Sequence, residues 1–123
     1  MNVVDSSAWL EYFGEGENAE FFSQPIEAVS KLIVPVISIY EVFKRICQQS
    51  GEGNALQAIA LMQQGRVIEM TSPLALNAAK LSIEHRLPMA DSLILATARM
   101  HNATLWTQDA DFEGIAGVKF KAK

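Results

Sequence analysis

Of the fourteen acidic residues in this 123-residue sequence, only four are aspartates: Asp5, Asp91, Asp109 and Asp111. Each falls where a turn or a helix start is expected. Asp5 closes the short apolar run Asn2-Val3-Val4, and Asp109 and Asp111 follow Ala103-Thr104-Leu105-Trp106-Thr107. Asp91 lies in the first turn of Ala90 to Met100, a stretch apolar on nearly every face before Arg99 and so expected to be a buried helix. Glu41 joins them, early in Ser38-Ile39-Tyr40-Glu41-Val42-Phe43-Lys44-Arg45 and just after a second apolar run. No Lys or Arg stands within three residues of any of the four aspartates.

Taken singly, each acid has a plain structural use. Asp5 would cap the helix beginning at Ser6 or Ser7, and Asp109 and Asp111 would shape a turn before Phe112. Glu41 has the three- and four-residue spacings to pair with Lys44 or Arg45 on a helix surface, a contact of about 0.3–0.5 kcal/mol. Asp91 is harder to place, because a carboxylate against a buried helix must be paired, hydrogen-bonded or protonated. Together they suggest chemistry. Carboxylates converging on one edge raise one another's pKa unless a cation neutralises them. An all-oxygen ligand set favours Mg²⁺ or Mn²⁺, which also coordinate substrate phosphates. His85, His101 and Cys47 lack the spacing of a zinc site, the two histidines reading as helix-end residues and Cys47 as core.

The elements that must carry these residues alternate. Asn2 to Asp5 reads as a strand and Ser6 to Phe13 as a helix stopped by Gly14; a second helix runs from Asn18 to about Lys31, interrupted by Pro25. A strand is expected over Leu32 to Val36, a helix from Ser38 to Gln49, the break Ser50-Gly51-Glu52-Gly53, and a helix over Asn54 to Met62 that ends at Gly65. Arg66 to Met70 reads as a strand, and a helix follows Thr71-Ser72-Pro73 as far as His85. A last helix runs from Pro88 to His101-Asn102, with strands at Ala103 to Thr107 and Val118 to Phe120. Strands alternating with helices, with almost no hairpin turns, imply an α/β fold whose parallel sheet is covered on both faces. Ligands in such sheets gather outside the carboxyl ends of the strands, where these acids fall.

Length and composition fit one domain over residues 1–123, with half the residues apolar and 20% charged. The lone Cys47 excludes an internal disulfide, and Met1 to Val4 meets Asp5 too soon for a secretory leader, so the cytoplasm is the expected compartment. No run approaches the roughly 18–20 apolar residues that cross a bilayer, so no membrane association is expected. The net charge of −4 argues at first against nucleic acid. Its distribution weakens that objection, because residues 1–30 hold six acids and no base, leaving the remainder slightly basic.

Four segments in register resemble one family: Val3-Val4-Asp5-Ser6-Ser7, Ile39-Tyr40-Glu41-Val42, Met89-Ala90-Asp91-Ser92-Leu93-Ile94-Leu95-Ala96-Thr97-Ala98, and Leu105-Trp106-Thr107-Gln108-Asp109-Ala110-Asp111-Phe112. They look like a PIN-domain ribonuclease of the VapC toxin type, and the resemblance covers essentially the whole chain. It implies a three-layer sandwich with a parallel sheet in the order 3-2-1-4-5. It also implies Mg²⁺- or Mn²⁺-dependent endoribonuclease activity as the toxin of a toxin–antitoxin pair, with an RNA substrate, a cognate antitoxin protein and a homodimer. Its acidic tetrad falls on Asp5, Glu41, Asp91 and Asp109. Metal ligation would rest with Asp5, Asp91, Asp109 and, as a fifth acid, Asp111. Ser6 and Thr107 are the hydroxyl partners, and Lys44 and Arg45 could contact RNA or antitoxin. The sequence departs from the pattern at Trp106, where a small aliphatic residue is common, and at Asn102, where a helix-ending glycine is frequent.

Rival readings fit less well. A receiver-type phosphoacceptor would need paired acids after the first strand and an Asp ending the third, which Arg66-Val67-Ile68-Glu69-Met70-Thr71 does not supply. A haloacid-dehalogenase-like phosphatase would need a second Asp two residues after Asp5, where Ser7 stands. The serious alternative is a PIN-like RNA- or protein-binding module without cleavage activity.

Overall fold

The computed structural model describes residues 1–123. In chain order the elements are β1 (Asn2–Val4), α1 (Ser6–Phe13), α2 (Ala19–Glu27), a 3-10 turn (Val29–Lys31), β2 (Leu32–Pro35), α3 (Val36–Ser50), α4 (Glu52–Met62) and β3 (Arg66–Ile68). There follow α5 (Ser72–His85), α6 (Met89–Met100), β4 (Thr104–Thr107), a second 3-10 turn (Ala110–Phe112) and β5 (Val118–Phe120). The five strands form one parallel sheet in the order β3-β2-β1-β4-β5, as the resemblance implies. β1 lies at its centre, with Val3 opposite Ile33 on one side and Leu105 on the other.

Strand alternation divides the core in two. Val4, Leu32, Val34 and Trp106 point to a cluster closed by Trp9 of α1, Phe22 of α2, Val42 of α3 and Met62 of α4. Their neighbours Val3, Ile33 and Leu105 point the other way, against Leu74 and Leu81 of α5, Ile94 and Leu95 of α6, and Phe112. Three layers result. Burial on both faces is why these strands read as continuous apolar runs. Every residue of α6 from Ser92 to Ala98 is buried, as its all-round apolar character predicts.

Several boundaries differ from the sequence reading. α2 passes through Pro25 and ends two residues later at Glu27; Pro25 is buried, so packing outweighs its missing N–H. Val36 belongs to α3 rather than β2, because Ile37 turns into the second core straight after Pro35. The four-residue break expected after α3 shrinks to Gly51, whose φ of 92° turns the chain so that Glu52 opens α4. β3 stops at Ile68 rather than Met70 because its only neighbour, β2, ends at the facing Pro35. β4 begins at Thr104, one residue later than expected. Cys47 is half-buried at the margin of the first core instead of inside it. The two departures from the family pattern are accommodated. Asn102 takes the left-handed conformation itself, at φ 51°, and the Trp106 indole Nε1 donates to Asn2 Oδ1 at 2.9 Å.

Gly65 marks a close approach, since a Cβ there would lie 3.0 Å from Leu32 Cγ and from Val34 Cγ2. Gly65→Val should therefore destabilise the fold by about 1–3 kcal/mol through overpacking. Gly53→Ala, in a helical position with nothing within 4 Å, should be neutral or stabilising. Urea midpoints for the two variants check the contrast.

Candidate metal centre

β1, β4 and the starts of α1, α3 and α6 deliver the five acids to the carboxyl edge of the sheet. Asp5 directly follows β1 and is 2% exposed, its N–H donating to Trp106 O at 2.9 Å. Its Oδ2 accepts from Ser7 Oγ at 2.7 Å and from Thr107 Oγ1 at 2.9 Å. Burial pushes the Asp5 carboxyl up to about 6; the two hydroxyls pull it down, and Asp109 adds to the rise. Thr107 works in both directions, because the same Oγ1 accepts from the Asp109 N–H at 2.9 Å. Asp109 Oδ1 in turn accepts from the Asp111 N–H at 2.9 Å, capping the 3-10 turn. The turn-forming use of Asp109 is therefore real, and it fixes the carboxylate's position.

Glu41 accepts from Ser6 Oγ at 2.7 Å. The surface pair with Lys44 or Arg45 does not form: the one ion pair in the structure joins His85 to Glu84, and Lys44 Nζ rests 5.7 Å from the Tyr40 ring centroid. Glu41 leans toward the acids through Ser6 instead. Asp91, half-buried in the first turn of α6, has no ion-pair partner, and its carboxyl is pushed up to about 7. Burial is the largest cause, followed by the charges of Asp5, Asp109, Glu41 and Asp111. Asp91 thus senses the other four acids.

Asp91, Asp109 and Asp111 each place a carboxylate oxygen within 4.8 Å of the others, a set that could hold a metal ion. The donors are hard oxygens, no cation of the chain neutralises them, and the raised pKa of Asp91 registers the missing charge. Asp5 lies outside this tight group and Glu41 likewise, although both act on Asp91 through their charges. The sequence reading overlooked Ser7, as well as Asn18 and Gln108. Asn18 Nδ2 donates to Gln108 Oε1 at 3.1 Å, and Gln108 Nε2 to Ser7 O at 3.4 Å, bracing the segment that presents Asp5. Only the three-dimensional placement reveals that bracing. Ser7 sits beside Asp5 in sequence, and a hydroxyl two residues after a strand-ending acid was the available sign.

A family model described as PIN domain matches residues 3–118. The chain belongs to the PIN domain family. Solved structures agree over nearly the whole length. A toxin–antitoxin complex from Klebsiella pneumoniae is similar with a TM-score of 0.80 at 26% identity, covering 97% of this chain and 96% of that one. VapC20 of Mycobacterium tuberculosis, a sarcin–ricin loop cleaving toxin, gives 0.79 at 17% identity, with 94% and 95% covered. The VapBC complex of Salmonella typhimurium, bound to DNA, gives 0.75 at 14% identity, with 99% and 98% covered. No curated protein sequence matches the chain.

The raised Asp91 value fixes the sign of a pH effect in this PIN domain. An unfolded Asp91 ionises near 3.8, whereas the folded one keeps its proton to about 7. The metal-free fold therefore loses stability as pH rises through that window, and above it the cost stays constant. Asp91→Asn removes the cost, so its melting temperature should climb relative to the unaltered protein from about pH 4 to about pH 7 and then run parallel. Thermal unfolding in EDTA across that range checks this. A variant less stable at every pH would assign Asp91 a purely structural role.

Proposed function

We propose that this chain is a Mg²⁺- or Mn²⁺-dependent endoribonuclease, the toxin of a toxin–antitoxin pair, acting as a single PIN domain in the cytoplasm. The carrying observation is the convergence of Asp5, Glu41, Asp91, Asp109 and Asp111 without a cation of the chain's own. The kinship with VapC toxins, one of them a cleaver of the sarcin–ricin loop, supports RNA as the substrate and an antitoxin as the partner.

Asp91, Asp109 and Asp111 would hold the divalent ion, with Asp5 completing the negative field. A bound ion supplies charge neutralisation at the phosphate and polarises water for attack on phosphorus. The chain's own side chains do the positioning. Thr107 ties Asp5 to Asp109, Ser7 holds the second hydroxyl contact to Asp5, and Ser6 fixes Glu41. Glu41, held by Ser6 and free of any ion pair, would accept a proton from water or assist in holding the ion. Lys44 and Arg45 are exposed and free of Glu41, available to an RNA phosphate or to an antitoxin acid.

The partner surfaces follow from what is left uncovered. Leu10, Phe13, Ile46, Ala58 and Leu61 line a groove of about 380 Å³ between α1, α3 and α4, suited to an apolar helix of an antitoxin. An antitoxin Arg reaching Asp5, Asp91 and Asp109 would compete with the metal for the same oxygens. α5 leaves Leu76 and Ile83 exposed, and Met89, at the start of α6, lines one groove with Ile83, Ala75 and Ala79. A second copy would cover that surface as a homodimer.

Purified protein should cut RNA with Mg²⁺ or Mn²⁺ and lose the activity in EDTA; Asp91→Asn should abolish cleavage while folding is kept. Cleavage undiminished in EDTA would overturn the metal assignment, and RNA binding without cleavage would favour the non-catalytic module. Light scattering at micromolar concentration should give a dimer mass, whereas a monomer throughout would remove the homodimer.

A further inference from the structure

Ten lysines and arginines serve a chain with fourteen acids, and three of the ten crowd into its last five residues, Lys119-Phe120-Lys121-Ala122-Lys123, which hold no acid. Strand alternation separates their faces. Val118 packs on the second core, so Lys119 and Lys121 project from the opposite face, two residues and about 6.6 Å apart. Phe21 and Trp106 lie on that face with ring centroids 5.0 Å apart. Lys119 Nζ stands 4.4 Å from the Trp106 centroid and Lys121 Nζ 5.5 Å from that of Phe21. The rings steer the two ammonium groups without cancelling their charge, and no carboxylate pairs with either.

The same strand is wired to the acid cluster. The Lys121 N–H donates to Thr107 O at 2.9 Å, and Thr107 Oγ1 is the atom that joins Asp5 to the Asp109 backbone. Just beyond β5, Asn18, itself 6% exposed, donates from Nδ2 to Ala122 O at 3.0 Å and to Gln108 Oε1. Gln108 then reaches the carbonyl of Ser7, whose hydroxyl bonds Asp5. Buried amides thus hold the lysine-bearing segment in fixed relation to the site.

We infer that Lys119, Lys121 and Lys123 form a track for the RNA backbone beside the cleaved phosphate, an inference that rests on the ribonuclease reading. A chain of net charge −4 with acids at its centre repels a polyanion, so positive charge must be fixed next to those acids for the strand to approach. Lysine binds phosphate as a point charge, without regard to base identity. Two lysines one strand repeat apart in the backbone, each set over a ring of the Phe21–Trp106 pair, offer successive point charges to the phosphates of a single strand.

The test compares the unaltered protein with the triple variant Lys119→Met, Lys121→Met and Lys123→Met, in which the methionines keep apolar cover over Trp106 and Phe21 while removing charge. Binding of a short fluorescein-labelled single-stranded RNA is measured in EDTA, so that the RNA stays whole, between about 50 mM and about 200 mM salt. The slope of log affinity against log salt should fall by about 2, at about 0.7 for each phosphate that a lysine no longer neutralises. Replacing the same lysines by Arg should restore it, and the loss in kcat/KM with metal should be carried by KM. An unchanged slope, with metal-dependent cleavage intact, overturns the track and leaves the ribonuclease reading standing. A weaker affinity at the same slope with a lowered melting temperature assigns the lysines to packing and also overturns it. If the unaltered protein neither binds nor cuts RNA, the ribonuclease reading falls and the track with it.

Discussion

Like charge held together in a partly dry place is the constraint around which this molecule is arranged. Five carboxylates reach one edge of a small sheet, and the chain sends none of its ten basic side chains to meet them. Burial raises Asp5 and burial plus four neighbouring charges raise Asp91, so near neutral pH these two carboxyls sit close to the boundary between charged and protonated forms. A group so poised responds strongly to an added cation. Such an arrangement weakens the metal-free fold as pH rises.

The surroundings hold the acids in place despite their repulsion. One hydroxyl, Thr107 Oγ1, bonds Asp5 and receives the Asp109 N–H; a second hydroxyl steadies Asp5 from Ser7, and a third steadies Glu41 from Ser6. These donors lower the cost of charge without neutralising it, which leaves the net field available to a metal ion. The parallel sheet makes the arrangement possible, because β1 and β4 are adjacent and in register, with Val4 opposite Trp106, so that Asp5 and Thr107 end their strands side by side. The Asn18–Gln108 contact ties residues ninety positions apart and braces the same edge from the α2 side.

Much of this was legible in the sequence. Short β-branched runs and an all-apolar helix gave the layers, and the position of each Asp at a strand end or helix start pointed to the edge of the sheet. The misplaced boundaries share a cause: Pro25, Val36 and Glu52 take the structure that tertiary packing or a single left-handed glycine allows, and local preference does not encode that. Glu41 shows the same limit at the site. Its spacing to Lys44 and Arg45 offered an ordinary helix pair, and a serine thirty-five residues away prevailed. The amide brace of Asn18 and Gln108 had no local signature, because each residue gains its meaning only from the distant partner.

The direct test of the account is calorimetric titration of Mn²⁺ into the metal-free protein in buffers of different ionisation enthalpy, which counts protons as well as ions. A cluster that holds protons because its charges lack a partner must release them when a cation arrives. Binding should expel about one proton per ion near pH 6, where Asp5 and Asp91 are partly protonated, and almost none above about pH 8. Absence of Mn²⁺ binding, or binding with no proton release at any pH, would contradict it.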